Sequence, residues 1–149
     1  MQKPIPIADN VYFVGVNDFD THLFEAIWPL PHAVSYDSYL ILDEKTTLID
    51  TVKGAHFSKF LDKVLALLDG RKLDYLVVNH MEPDHSGSMK ILHSLYPEMK
   101  IIGNKKTMEF IKNFYHFDTE SLVVADGQEV KPVDAADQGQ TTPPAASGP

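Results

Sequence analysis

The sequence predicts an α/β fold, and this prediction depends on two observations. Between residues 57 and 125, stretches with apolar residues at helical spacing alternate with short runs rich in β-branched and other aliphatic residues. The resulting βαβαβ order is typical of parallel strands joined by crossover helices. The length of 149 residues fits one domain of ordinary size.

The N-terminal part is expected to contribute strands and one long loop. Residues 11–16 are β-branched and aromatic, which favours a strand. Residues 35–51 are expected to form a β-hairpin, with apolar runs on either side of the polar turn 43–45. Residues 17–34 have no clear periodicity, so we predict a loop of a length that often carries function.

Helices and strands are predicted in turn along the alternating part. The first helix has one apolar stripe, which consists of Phe57, Leu61, Val64, Leu65 and Leu68. Further helices are predicted at 87–96 and 105–115, and strands at 73–79, 100–103 and 121–125. We therefore expect a largely parallel sheet in this part of the chain.

The composition changes near the C-terminal end. Residues 131–149 contain four prolines and two glycines but no aromatic residue. Such a segment buries too little apolar surface to offset the entropy of ordering, so we predict disorder. The sequence therefore divides into a domain at 1–130 and a disordered tail at 131–149.

Charge and composition argue against several classes of protein. The 13 basic and 21 acidic residues give a net charge of −8, which argues against binding to nucleic acid or to an anionic membrane. The absence of cysteine excludes disulfides, thiol catalysis and cysteine-ligated metal clusters. No apolar run approaches the roughly 18 residues of a membrane helix, and no targeting segment is visible. We therefore expect a cytoplasmic protein.

One segment directly after the predicted strand 73–79 combines four residues of the types that bind metals, namely His80, Glu82, Asp84 and His85. The carboxyl end of a strand in an α/β sheet is where sites usually form. A loop that leaves a strand can turn these side chains toward two adjacent metal ions. Mixed imidazole and carboxylate ligands are typical of iron, manganese or zinc, and the two carboxylates favour iron.

A purely structural interpretation of the same segment must be weighed against the metal site. Asp84 or Ser86 could cap the following helix, and His80 could be an ordinary histidine at the end of a strand. Each residue taken alone allows this interpretation. The four together, with the spacing H-x-E-x-D-H, favour the metal site.

This motif after an apolar strand resembles the signature of the metallo-β-lactamase fold. The form with Glu82 at the second ligand position is similar to the flavodiiron proteins, which include the A-type flavoproteins and flavorubredoxins. Segments 17–20, 23–31, 35–52 and 73–88 support this resemblance, which extends from about residue 7 to about residue 130. It implies the first half of a metallo-β-lactamase-like αββα sandwich, truncated near residue 130.

The resemblance also implies an activity. Flavodiiron proteins reduce O₂ to water or NO to N₂O at a non-haem diiron centre. Their electrons come from FMN in a C-terminal flavodoxin-like domain, supplied by rubredoxin or a donor of the flavin reductase type, and they form head-to-tail homodimers. Carried over by position, His80 and Glu82 would bind one iron, and Asp84 and His85 the other.

Part of the family pattern has no counterpart in this sequence. The family has three further ligands downstream, a His in a His-Trp-Pro context, a bridging Asp and a final His, and none can be placed here. An FMN-binding segment is not found either, so we expect this chain alone to be inactive. His22, Trp28 and His32 lie in the loop that faces the site in the family, and we expect them to contact the ligands from outside.

Two other functions remain open at this point. The first is a zinc hydrolase of the metallo-β-lactamase fold, with Asp84 near a metal-activated water. The second is a non-catalytic module that binds a partner through an uncovered sheet face carrying Val77 and Ile102. A histidine at position 82 would favour the hydrolase, so Glu82 argues against it.

Overall fold

A computed structural model describes residues 2–24 and 26–131 and confirms the α/β fold. The strands are β1 (Ile5–Ala8), β2 (Val11–Phe13), β3 (Val16–Asp18), β4 (Leu23–Phe24), β5 (Trp28–Pro29), β6 (Val34–Tyr36), β7 (Tyr39–Leu42), β8 (Thr46–Ile49), β9 (Tyr75–Val77), β10 (Lys100–Gly103) and β11 (Ser121–Val123). The helices are α1 (Phe57–Leu68), α2 (Pro83–Ser86), α3 (Met89–Leu95) and α4 (Lys105–Phe110). A 3₁₀ turn at Gly54–His56 precedes α1, and a π turn at Ile111–Tyr115 continues α4.

Seven strands form one mixed sheet in the order β1-β2-β7-β8-β9-β10-β11. β7 and β8 pair as an antiparallel hairpin around residues 43–45, which confirms the predicted hairpin. β8, β9, β10 and β11 are parallel neighbours, with helices in the connections between them. The predicted βαβαβ series is therefore confirmed.

The prediction of one long loop at 17–34 is wrong. β3 pairs with β6, and β4 pairs with β5, so this segment folds into two small antiparallel ribbons. Strands of two or three residues are too short to show a period of two, and Val16 pairs with Tyr36, which is distant in the chain. Local patterning therefore carries no signal for these ribbons.

The strand predicted at 11–16 is interrupted at Val14 and Gly15, whose N–H groups both donate to the carbonyl of Ser38. A Cβ added at Gly15 would lie 2.2 Å from the carbonyl oxygen of Tyr36. Only glycine allows this close approach of the backbone, so the break between β2 and β3 depends on that residue.

Two predicted helices differ from those in the structure. The helix predicted at 87–96 begins earlier, at Pro83, and is divided into α2 and α3. Proline fits the first turn because the missing N–H has no partner there in any helix. The helix predicted at 105–115 changes from α to π geometry at Ile111.

The main core lies between the sheet and the helices. Leu40, Leu48, Leu76 and Ile101 from the strands pack with Phe60, Val64, Met89 and Leu92 from the helices. A smaller cluster on the opposite sheet face contains Tyr75 and Ile102, against which Val77, Leu122, Val124 and Val130 pack. Ile102 is only 5% exposed and Val77 is half-buried, so the expectation that both lack cover is wrong. Neighbouring side chains of the same face supply that cover.

Within residues 2–24 and 26–131, no helix has the length and apolar character needed to cross a membrane. The predicted tail lies outside the described residues except for Lys131, so its disorder and the domain boundary at 130 stay predictions.

Candidate metal centre

The ligand-type residues lie between the end of β9 and the end of α2. β9 is an inner strand with β8 and β10 as its parallel neighbours, so its carboxyl end is at the edge where sites form. The N-cap of α2 is Glu82, which has extended backbone geometry. The first two ligand-type residues therefore precede α2, and the last two lie within it.

Imidazole and carboxylate groups of this segment form two pairs. His80 Nε2 lies 3.5 Å from Glu82 Oε2, and His85 Nε2 lies 3.6 Å from Asp84 Oδ2. The ring centroids of the two histidines are 5.3 Å apart. One ligand atom from each of His80, Glu82 and Asp84 lies within 4.8 Å of the others. The structure thus brings together the four residues singled out in the sequence.

The spacings within the pairs are longer than direct hydrogen bonds and close to the separation of two ligands on one metal ion. Two ligands bound at about 2.1 Å to one divalent ion stand about 3.0–3.4 Å apart at tetrahedral or octahedral angles. The observed 3.5 and 3.6 Å are close to this separation. They exceed the roughly 2.7–2.9 Å of a charge-assisted hydrogen bond.

One imidazole nitrogen of the motif also lacks a partner. Nδ1 of His85 is buried and makes no hydrogen bond among the described residues. A buried polar atom without a partner costs free energy, so such an atom calls for a specific explanation such as an ion. This nitrogen is not the one beside Asp84, because the nitrogen there is Nε2. The set of two imidazoles and two carboxylates nevertheless fits a divalent metal of the iron, manganese or zinc type.

The two pairs differ in their exposure to solvent. The side chains of His80 and Glu82 are 47% and 59% exposed, whereas those of Asp84 and His85 are 19% and 20% exposed. Water screens charges less at the enclosed pair. An ion would therefore interact more strongly with Asp84 and His85 than with the more exposed His80 and Glu82.

Two residues after β8 support the segment from the neighbouring strand. Asp50 Oδ1 accepts hydrogen bonds from the N–H groups of Asn79 at 2.7 Å and His80 at 3.1 Å. Burial raises the pKa of Asp50, although these bonds favour its charged form. The N–H and the hydroxyl of Thr51 donate to the carbonyl of His85 at 2.8 and 2.7 Å. Both ends of the segment are thus tied to β8.

Asp50 and Thr51 were not among the predicted site residues. They lie about thirty positions before the motif, and only the pairing of β8 with β9 brings them near it. A signal was available, because a carboxylate directly after one parallel strand faces the residues that follow its neighbour. That signal depends on knowing which strands are neighbours.

The three residues expected to contact the ligands from outside lie in the ribbons between β3 and β6. His22 and His32 are exposed, and Trp28 is 64% exposed. A cleft of about 180 Å³ separates the ribbons from the motif, and its described lining includes Thr21, Phe24 and Asp84 but none of these three. Their contact with the ligands stays a prediction.

A buried carboxylate stabilises the wall of that cleft. Asp18, 1% exposed, accepts hydrogen bonds from Tyr36 Oη at 2.9 Å and Thr21 Oγ1 at 2.5 Å, and His56 Nε2 lies 3.0 Å away. Burial raises the pKa of Asp18, but bonds from Thr21, Asp20 N–H and Tyr36 outweigh it and hold that pKa well below its usual range. Burial and Asp18 raise the pKa of Tyr36 to about 12.

A second and larger cleft of about 560 Å³ lies on the other side of the motif. Phe110, Phe114 and Tyr115 form one wall, and His80 and Glu82 belong to the other. The lining is mostly apolar, so the exposed pair of ligand-type residues faces an apolar space.

Comparison with known proteins identifies the family. The model of the ODP family beta lactamase matches residues 34–141. The chain belongs to this family. The match includes all four ligand-type residues, both supporting residues after β8 and the parallel part of the sheet.

Proteins similar to this chain include a flavo-diiron protein and two oxidoreductases. The chain is 36% identical to the flavo-diiron protein FprA2 of Clostridium acetobutylicum over 91% of its length, and 33% identical to a nitric oxide reductase of Moorella thermoacetica over 87%. The solved structure of rubredoxin oxygen:oxidoreductase from Desulfovibrio gigas matches 87% of the chain with a TM-score of 0.82 and 30% identity. These relatives confirm the resemblance to flavodiiron proteins.

The chain spans about a third of the length of the relatives that it matches. The shares covered are 32% of the Clostridium protein, 33% of the Moorella protein and 33% of the Desulfovibrio structure. The matched part belongs to the N-terminal part of the flavodiiron proteins.

Proposed function

We propose that this chain supplies part of the diiron centre of a flavodiiron oxidoreductase, which reduces O₂ to water or NO to N₂O. The observation that carries the proposal is the convergence of two histidine–carboxylate pairs at the end of β9. The names of the Moorella and Desulfovibrio relatives support NO and O₂ as the two candidate substrates.

Each pair would hold one iron. His80 with Glu82 would bind the first, and Asp84 with His85 the second. Bound iron would supply the electrons that O₂ or NO accepts. The residues of this chain would fix the ligand geometry, because Asp50 and Thr51 tie the segment to β8. The apolar cleft beside His80 and Glu82 would admit a small uncharged gas in preference to ions.

Glu82 favours a redox role over hydrolysis. A second carboxylate among the ligands lowers the charge of the site and favours a hard ion such as iron, whereas zinc hydrolases prefer imidazole at this position. Zinc is therefore the competing metal in any test of the proposal. The exposed position of Glu82 makes it accessible to substitution without disturbing the core.

Further ligands, the flavin and an electron donor would come from outside the described residues. Four ligands shared between two ions leave two for each, fewer than the three protein ligands that catalytic metal sites usually have. We therefore propose that the isolated chain binds iron weakly and does not turn over. An FMN domain, a rubredoxin-type or flavin-reductase-type donor, a homodimeric assembly and a cytoplasmic location belong to the same proposal.

Anaerobic titration with Fe²⁺, followed by NO and O₂ consumption with a chemical reductant, tests these statements. We expect the chain to bind Fe²⁺, to lose about tenfold in affinity or more on Glu82→Gln, and to show no turnover. Glu109→Gln, an exposed glutamate on α4, is the matched control and should not change the affinity.

Other results would contradict parts of the proposal. Robust turnover by the isolated chain would refute its inactivity. Preferential zinc binding with hydrolysis of a β-lactam or ester would favour the hydrolase. Concentration-dependent association without binding of any metal would favour the non-catalytic module.

A further inference from the structure

The hydroxyl group of Ser86 contacts three oxygen atoms beside the metal-binding motif. Ser86 is 1% exposed and lies at the end of α2. Its Oγ is 2.7 Å from the carbonyl oxygen of Met81, 3.0 Å from that of Glu82 and 2.5 Å from Tyr115 Oη. Two of the three neighbours are therefore backbone atoms of the motif.

The number of protons fixes the direction of these hydrogen bonds. A serine hydroxyl has one proton, and a carbonyl oxygen can only accept. Ser86 must therefore donate its proton to the carbonyls of Met81 and Glu82. Its oxygen is left to accept from Tyr115, whose O–H is the donor. The bonds form a chain from Tyr115 through Ser86 to the backbone of the motif, and bonds in such a chain strengthen one another.

The π turn places Tyr115 where it can donate. The N–H of His116 bonds to the carbonyl of Ile111 at 3.0 Å, five residues back, so this turn contains one residue more than an α turn. π turns of this kind occur frequently at functional sites. Tyr115 also lines the apolar cleft together with His80 and Glu82. Its hydroxyl reaches Ser86 at the end of α2.

The side chain of Glu82 has little else to hold it. It is 59% exposed, and its carboxylate makes no hydrogen bond among the described residues. The backbone of Glu82, in contrast, is strongly held, because its carbonyl accepts from the N–H groups of His85 and Ser86, both at 2.9 Å, and from Ser86 Oγ. The place of the carboxylate beside His80 therefore depends on how firmly this backbone is held.

We propose that Tyr115 is a positioning residue for the metal-binding motif. Acting through Ser86, it holds the backbone of Met81 and Glu82 so that the Glu82 carboxylate stays beside His80. This role rests on the proposed metal centre, since positioning has a consequence only where Glu82 binds an ion. Tyr115 itself does not bind the ion.

Binding of Co²⁺, followed by its visible absorption, tests the inference in the full chain. Tyr115→Phe removes only the hydroxyl, and we expect about tenfold weaker Co²⁺ binding or more, with a shifted absorption band. Ser86→Ala should have the same effect, and the double variant should lose no more than either single variant, because both act through one chain of bonds. Tyr12→Phe is the control, because Tyr12 is a half-buried tyrosine whose hydroxyl makes no hydrogen bond among the described residues.

Amide hydrogen exchange of the metal-free chain supplies an independent readout. The amides of His85 and Ser86, which bond to the Glu82 carbonyl, should exchange about tenfold faster in Tyr115→Phe, while those of α1 stay unchanged. Unchanged exchange overturns the inference, as does a variant that melts earlier but keeps the affinity and spectrum of the wild type. If the wild type binds no Co²⁺, the proposed function fails, and exchange alone decides whether Tyr115 holds the motif.

Discussion

Asp50 connects two neighbouring strand ends through a single carboxylate oxygen. That oxygen accepts from two backbone N–H groups, those of Asn79 and His80. The backbone of Asp50 has a positive φ of 54° directly after β8. Apart from glycine, few residues other than Asp and Asn adopt this backbone conformation at low cost. Conformation and hydrogen bonding thus favour the same residue.

Asp50→Ala should destabilise the fold by about 1–3 kcal/mol, because two backbone N–H groups lose a charged acceptor. Asp50→Asn keeps an acceptor oxygen and should cost less. Urea unfolding followed by circular dichroism measures both. Asp62→Asn, an exposed residue on α1, is the control. Equal stabilities of the Ala and Asn variants would contradict the role of the carboxylate oxygen as acceptor.

Lys63 is a charged residue placed inside the core. It is 3% exposed, and its Nζ donates to the carbonyl of Gly15 and to Gln2 Oε1, both of which are neutral acceptors. No carboxylate forms an ion pair with it among the described residues. Burial therefore lowers the pKa of Lys63 below its ordinary value of 10.5.

The lowered pKa of Lys63 makes stability depend on pH. Between that pKa and 10.5, the unfolded chain binds more protons than the folded chain. The free energy of unfolding therefore increases as pH rises through this range and decreases as pH falls. In urea unfolding at a series of pH values rising toward 10.5, the wild type should gain stability relative to Lys63→Met. Lys59→Met, exposed on the same helix, should follow the wild type. Parallel curves for wild type and Lys63→Met would contradict this expectation.

Gly87, between α2 and α3, packs against the turn that precedes α1. A Cβ at this position would lie 2.5 Å from the carbonyl of Pro83 and 3.0 Å from the N of Gly54. Because both neighbours are backbone atoms, neither can move aside cheaply. Gly87 thus sets how closely α2, which carries Asp84 and His85, approaches the 3₁₀ turn that begins at Gly54.

Gly87→Ala should therefore destabilise the chain by about 1–3 kcal/mol, as overpacking does. Gly54→Ala, across the same contact, is the matched control, because its added Cβ would meet only the Gly87 carbonyl at an ordinary 3.5 Å. The shift in the urea midpoint measures both variants. A larger loss at Gly54 than at Gly87 would contradict the packing explanation.

Elements that repeat a local pattern could be predicted from the sequence, and elements that depend on distant contacts could not. The hairpin of β7 and β8 and the parallel series that follows have apolar patterns of sufficient length. The π turn has the same apolar spacing as the predicted helix, so only the bond from His116 to Ile111 distinguishes it. Pro83 indicates the earlier helix start, because proline is favoured in the first turn of a helix.

At the scale of the whole molecule, the candidate site joins parts of the chain that fold together. The motif follows β9, Asp50 and Thr51 follow β8, and Tyr115 belongs to the π turn after α4. The sequence predicted the four ligand-type residues because they are close in the chain. Their supports come from distant segments, and only the completed sheet brings these together. The site therefore exists only in the folded state.

An ion that binds only the folded state must raise its stability. At a free concentration of a hundred times its dissociation constant, the gain is about 2.7 kcal/mol. For a chain of this size, that corresponds to a rise of about 5–10 °C in the melting temperature. Calorimetry with Fe²⁺, Mn²⁺ and Zn²⁺ measures the rise and ranks the metals.

Variants of the motif test whether the rise in melting temperature comes from metal binding at the candidate site. Asp84→Asn should remove most of it, because Asp84 belongs to the enclosed pair and its charge is little screened. Asp126→Asn, in the exposed turn after β11, should keep the full rise. An equal rise in both variants would mean that the ions bind elsewhere on the acidic surface. Loss of the rise in Asp84→Asn alone would link metal binding to the fold through the residues that follow β9.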